Sequence, residues 1–205
     1  MFKETITPEE IETYELISFP GKIWVIDCEG ADCDFAAEHL SKQRIIGFDT
    51  ETRPVFTPNT PRHKTALLQL SSETDAFLFR LNKMGLPREI ADIMADRSIT
   101  KVGAAVQDDI YGLYKHREFR AARFMDLQNL GFEYGIREKS VRKMAAIIFG
   151  RKVSKAQQCS NWEEDELSEA QQLYAATDAW ICLKMYKVLL GSPKVKLKPL
   201  IPPQQ

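Results

Sequence analysis

The stretch Ile45-Ile46-Gly47-Phe48-Asp49-Thr50-Glu51 constrains this chain more than any other. An apolar, β-branched run that stops abruptly at two acids is the pattern of a buried strand presenting carboxylates at its tip. Side chains alternate along a strand, so Asp49 and Glu51 leave one face while Thr50 points away. Carboxylates held that close repel each other and keep part of their protons unless a cation sits between them. Hard oxygen ligands on a rigid strand suit Mg²⁺ or Mn²⁺. Alone, an Asp-x-Glu triplet is weak evidence, since most are solvated surface acids, so the partners supplied by the rest of the chain decide the matter.

At 205 residues the chain is expected to form a single domain over residues 1–191, with residues 1–20 as an extension and 192–205 as a disordered tail. With 44% hydrophobic and 28% charged residues it has the composition of a globular protein. Cys28, Cys33, Cys159 and Cys182 have no Cys-x-x-Cys spacing, which argues against zinc or a redox pair and for reduced thiols in an intracellular protein. The acidic start after Met1-Phe2-Lys3 is not a signal peptide, and no apolar run approaches membrane-spanning length. A net charge of −1 argues against gripping nucleic acid everywhere by bulk charge but leaves room for a local basic groove.

Periodicity predicts strands over 22–27, 45–51, 66–70, 76–79 and 100–106, with a hairpin turn at 71–75. Helices are expected near 8–11 and over 35–42, 87–95, 107–116, 124–134 and 140–149. Residues 53–64, with three prolines and Phe56, form a loop beside the acids. A basic link, 151–158, leads to the last helix, where Ser168-Glu169-Ala170-Gln171 is a capping box and Gly191 marks the end. This order predicts an α/β fold: a mixed sheet flanked by helices.

On that helix Tyr174 and Asp178 share a face, which continues through Ile181, Met185 and Val188 into an apolar stripe. Both therefore point inward, either as a satisfied core pair or as partners of the strand-tip acids. Asp108 and Asp109 stand where a strand gives way to a helix, and either could cap it. If Asp109 instead faces the cleft, four carboxylates and a phenol converge. That crowd is unstable when empty and makes sense around two divalent cations about 3.5–4 Å apart, an arrangement suited to breaking phosphodiester bonds.

Three motifs carry a resemblance: Phe48-Asp49-Thr50-Glu51; Lys101-Val102-Gly103 with Asp109 and Leu113; and Tyr174-Ala175-Ala176-Thr177-Asp178-Ala179. In order and separation the chain resembles the Tyr-containing branch of the DEDD 3′–5′ exonuclease superfamily, which includes ribonuclease D and the Werner syndrome exonuclease domain. Ser160-Asn161-Trp162, Leu167 and Gln171 resemble the Werner-type subgroup in particular.

The resemblance implies a ribonuclease H-like fold and a metal-dependent enzyme releasing 5′-mononucleotides from the 3′ end of DNA or RNA. Asp49 would bridge two cations, Mg²⁺ or Mn²⁺. Glu51 and Asp178 would complete the water-activating site, Asp109 would hold the second cation mainly through water, and Tyr174 would orient the attacking water. The motif favours Asp109 over Asp108. The branch that uses His would carry it at position 173, which is Leu here. His39, His63 and His116 lie outside the motifs and read as surface or satisfied residues.

Substrate contacts are expected from cations and stacking aromatics near the motifs. Lys64, Arg151, Lys152 and Lys155 are the candidate cations, and Lys155 is preferred because its neighbourhood resembles the run before Ser-Asn-Trp in relatives. Tyr111 and Phe56 are the candidate stacking residues. Taken singly, each of these is more often a solvated charge or a packing aromatic. Trp162 is expected to pin the link against the last helix. No obligate protein partner is evident. The competing function is a silent nucleic-acid-binding or scaffold module on the same fold. Retention of all five motif positions favours the enzyme.

Overall fold

The computed structural model describes residues 1–195 of the chain. After α1 (Pro8–Glu12) come β1 (Lys22–Ile26), α2 (Ala31–Ser41) and β2 (Ile45–Thr52). Next are β3 (Thr65–Ser71), β4 (Asp75–Arg80), α3 (Leu81–Met84) and α4 (Arg88–Ala95). The second half runs β5 (Thr100–Gly103), α5 (Val106–Tyr114), β6 (Phe124–Asp126), α6 (Leu127–Glu133), α7 (Val141–Phe149) and α8 (Glu169–Leu190).

The strands form one mixed sheet in the order β1-β4-β3-β2-β5-β6. β3 runs antiparallel to both β2 and β4, while β1–β4, β2–β5 and β5–β6 are parallel pairs. One face packs Phe48, Leu68, Leu70, Phe77 and Phe79 against buried side chains of α2, α4 and α5. Each such side chain fully withdrawn from water contributes about 1.5–3 kcal/mol. The opposite face is crossed by α8, flanked by α6 and α7, so the sheet is covered on both sides, as the sequence predicts.

Three predicted boundaries move by three residues or more. Residues 124–126 are a strand rather than the start of a helix, pairing with β5 at the sheet edge. Three residues are too few to show a period of two. Asp126 then caps α6, its carboxylate accepting from the Gln128 N–H at 2.8 Å. β5 stops at Gly103 rather than residue 106, because Ala105 takes a left-handed conformation (φ 57°) to turn the chain into α5. α2 begins at Ala31, four residues before the predicted start, after Gly30 at φ 147°.

Residues 1–20 are packed onto the domain. Ile11 is buried with Ala146 of α7, and the Phe19 N–H donates to Thr177 Oγ1 of α8 at 3.0 Å. At the other end the Val195 N–H reaches the Glu133 carbonyl at 3.1 Å; the rest of the expected tail, 196–205, lies outside the described residues. Among the described residues no helix is long and apolar enough to cross a membrane.

Candidate active site

β2 and α8 bring the strand-tip acids and the helix acids together. Gly47, Asp49 and Glu51 share the face of β2 that meets α8, and Gly47 lets the helix lie directly on the strand. Asp178 consequently descends onto the two strand acids. One carboxylate oxygen from each of Asp49, Glu51 and Asp178 lies within 4.8 Å of the others. A cavity of about 600 Å³ opens over them, lined also by Tyr174 one helical turn before Asp178. Trp162 is wholly buried with its ring 5.9 Å from that of Tyr174, fixing the phenol from behind and joining the link to α8.

The electrostatics of the cluster are unfavourable without a cation. Burial, then the charges of Asp178, Asp109 and Glu51, pushes the Asp49 carboxyl well above the usual range. Burial, then Asp178 and Asp109, raises Glu51 to about 9. Burial raises Asp178 to about 7, and hydrogen bonding from Tyr174 holds it back. The Tyr174 phenol is itself pushed up by burial and then by Asp178, so it remains a hydroxyl at any working pH. A set of oxygen donors, two half-buried and one buried, that shed their protons only reluctantly matches a hard divalent cation, which replaces those protons and cancels the repulsion.

Asp109 stands apart from the other three. Its Oδ1 accepts a hydrogen bond from Thr50 Oγ1 at 2.5 Å, and burial raises it to about 6 against the pull of that bond. Thr50 alternates away from Asp49 and Glu51, so α5 delivers Asp109 to the strand tip from the other side. The expected fourth carboxylate is thus beside the cluster but not within common ligand distance of it. Asp108 is exposed.

Of the predicted substrate contacts, Lys155 lines the cavity, whereas Lys64 and Tyr111 are exposed and are not among its lining residues. Tyr111 packs its ring edge-on to Tyr114, and Phe56 is 78% exposed in the proline loop. Arg151 and Lys152 are held by Glu15 and Glu12. The histidines are engaged as expected: His39 with Ser72, His63 with Glu163, and His116 with the Thr65 carbonyl.

Sequence reasoning missed the wall facing the acids. Lys139, Ser140, Arg142 and Lys143, at the start of α7, line the cavity. Arg142 and Lys143 are paired with Glu12 and Glu138. The signal was readable: a Ser-capped helix whose first turn holds bases and no acids runs against the helix dipole.

Comparison with known proteins points to one family and one fold. A family model described as 3′–5′ exonuclease matches residues 24–192. The mouse bifunctional 3′–5′ exonuclease/ATP-dependent helicase WRN is 31% identical over 183 residues, covering 84% of this chain but 13% of the relative. This chain therefore spans a small part of that protein. Among solved structures, Escherichia coli RNase D, an exoribonuclease involved in structured RNA processing, superposes with a TM-score of 0.73 at 22% identity. That match covers 82% of this chain and 44% of the other. Trypanosoma brucei RNase D in complex with RNA U12 superposes with a TM-score of 0.72 at 20% identity, covering 85% and 64%. At those identities the structures speak to the fold.

Proposed function

The chain belongs to the 3′–5′ exonuclease family, and from that membership and the geometry of its acidic cluster we propose that it hydrolyses the terminal phosphodiester bond at the 3′ end of a nucleic-acid strand, releasing 5′-mononucleotides. The observation that carries this reading is the convergence of Asp49, Glu51 and Asp178 within 4.8 Å, with Tyr174 beside them in an open cavity.

Asp49 would bridge two divalent cations, Mg²⁺ or Mn²⁺; Glu51 and Asp178 would complete one site, and Asp109, released from Thr50, would serve the other. When bound, such cations supply charge stabilisation at the phosphoryl oxygens and make water a better nucleophile near neutral pH. The protein's own groups do the rest. The Tyr174 hydroxyl, on a ring packed against that of Trp162, orients the attacking water against the phosphorus. As the water oxygen bonds to phosphorus and gives up a proton to solvent, the bond to the 3′ oxygen breaks, that oxygen takes up a proton to leave a 3′-hydroxyl on the shortened strand, and the phosphate stays on the 5′ carbon of the freed nucleotide. Lys155, exposed on the rim, binds a backbone phosphate of the remaining strand. The substrate is the 3′ end of DNA or RNA; the Trypanosoma brucei RNase D structure in complex with RNA supports a nucleic-acid strand as the ligand.

The test is digestion of single strands labelled at either end, DNA and RNA in parallel, with Mg²⁺, Mn²⁺ or EDTA. A 3′ label should appear at once as a mononucleotide, while a 5′ label shortens stepwise, and both should require the metal. Release of internal fragments, or turnover in EDTA, would overturn the proposal.

A further inference from the structure

Behind the acids lies a polar side chain that packing does not call for. The face of β3 turned to α8 carries Leu67, Gln69 and Ser71, which stand opposite Glu51, Asp49 and Gly47 in the β2–β3 register. Gln69 is wholly buried, and neither its Oε1 nor its Nε2 has a hydrogen-bond partner within the protein. Its other cross-strand neighbour is Leu78 of β4, also wholly buried. An apolar residue would suit that setting better, because a buried carboxamide with both ends unmet weakens the fold.

The group directly across the ladder explains the choice of residue. Opposed side chains on an antiparallel pair have β-carbons about 4.5–5.5 Å apart, which puts a Gln amide within reach of an Asp carboxylate. The carboxylate in question is the one assigned to both cations. We propose that Gln69 is a positioning residue for Asp49, its Nε2–H donating to the Asp49 carboxyl oxygen in the cation-bound protein and thereby fixing which oxygens face the cleft. The inference rests on the metal-dependent reading given above. A metal-ligating carboxylate that is itself hydrogen-bonded holds its cation in better geometry, and loss of such a partner typically lowers metal affinity about 10- to 100-fold.

The proposal predicts an effect of opposite sign on two measurements. The full chain carrying Gln69→Met or Gln69→Leu would be compared with the unmodified protein by Mn²⁺ titration calorimetry at one pH, and by thermal melting in EDTA. Mn²⁺ affinity should fall about 10-fold or more, while the metal-free melting temperature stays level or rises, since an unmet polar group has left the core. Affinity within twofold of the unmodified protein in both variants would overturn the proposal and make Gln69 a packing residue. So would a metal-free melting temperature that drops in both variants together with affinity. If the unmodified protein bound no Mn²⁺ at all, the metal-dependent reading itself would fall, an outcome distinct from a loss confined to Gln69.

Discussion

Gly47 of β2 and Ala179 of α8 meet backbone to backbone: a β-carbon at Gly47 would lie 1.9 Å from the Ala179 carbonyl oxygen and 2.5 Å from Ser71 Oγ. That approach brings Asp178, the residue before Ala179, down to Asp49, two residues beyond Gly47. Gly47→Ala should therefore push α8 off the sheet. Overpacking of this kind costs about 1–3 kcal/mol, and a displacement of about 1 Å at reacting groups costs on the order of 100-fold in rate. Gly191→Ala, where the nearest atom is at 3.7 Å and the backbone is ordinary, should change neither. Melting curves and initial rates of the two variants check this.

Asp49→Asn removes the most crowded carboxylate from the cluster. Metal-free stability at pH 8 should rise or hold, because repulsion and the burial of a charge are both relieved. Turnover should fall at least about 1,000-fold, since losing several kcal/mol of transition-state stabilisation costs a decade for each 1.36 kcal/mol. Thermal melting in EDTA and the exonuclease rate in Mg²⁺ report the two effects separately.

Tyr174→Phe keeps the ring that packs on Trp162 and deletes only the hydroxyl. The melting temperature should barely move, and Mn²⁺ affinity should be retained. The rate should drop about 100-fold or more, within the range for a group that manages protons or water in the transition state. An unchanged rate would make Tyr174 a packing residue.

Stability of the metal-free protein should fall as pH rises. Glu51 is raised from 4.5 to about 9 and Asp178 from 3.8 to about 7, so between roughly pH 4 and 9 the folded state holds protons that the unfolded state has released. The contribution of these groups is fully present below their unfolded values and is lost as pH passes through the folded ones. A divalent cation displaces those protons, so its affinity should increase over the same window and its stabilising effect should be largest at the alkaline end. Melting temperatures from pH 5 to 9, in EDTA and in Mn²⁺, should diverge steadily.

What the sequence made legible was what short-range geometry governs. Asp49 and Glu51 share a strand face and Tyr174 and Asp178 share a helix face, so both pairs could be oriented before their meeting was seen. The capping box fixed the start of α8, and the alternating strands and helices announced the covered sheet. Contacts between elements were less visible. Nothing local indicates that Thr50, pointing away from the cluster, meets Asp109, or that Gln69 lies opposite Asp49; both depend on strand pairing and on where α5 docks. β6 was hidden because an edge strand of three residues has no periodicity of its own. Gly47, a glycine inside a strand, did carry a signal of close approach that could have been used.

The central claim is that the cluster at the tip of β2 is a metal-dependent centre for removing 3′-terminal nucleotides. The most direct measurement follows a 5′-labelled single strand digested by the unmodified protein and by Asp49→Ala, each with Mn²⁺ and with EDTA, after both proteins have been shown to melt cooperatively. The expected result is a ladder shortening from the 3′ end for the unmodified protein in Mn²⁺ alone, and intact strand in the other three reactions. An identical ladder from folded Asp49→Ala would contradict it, as would intact strand in all four.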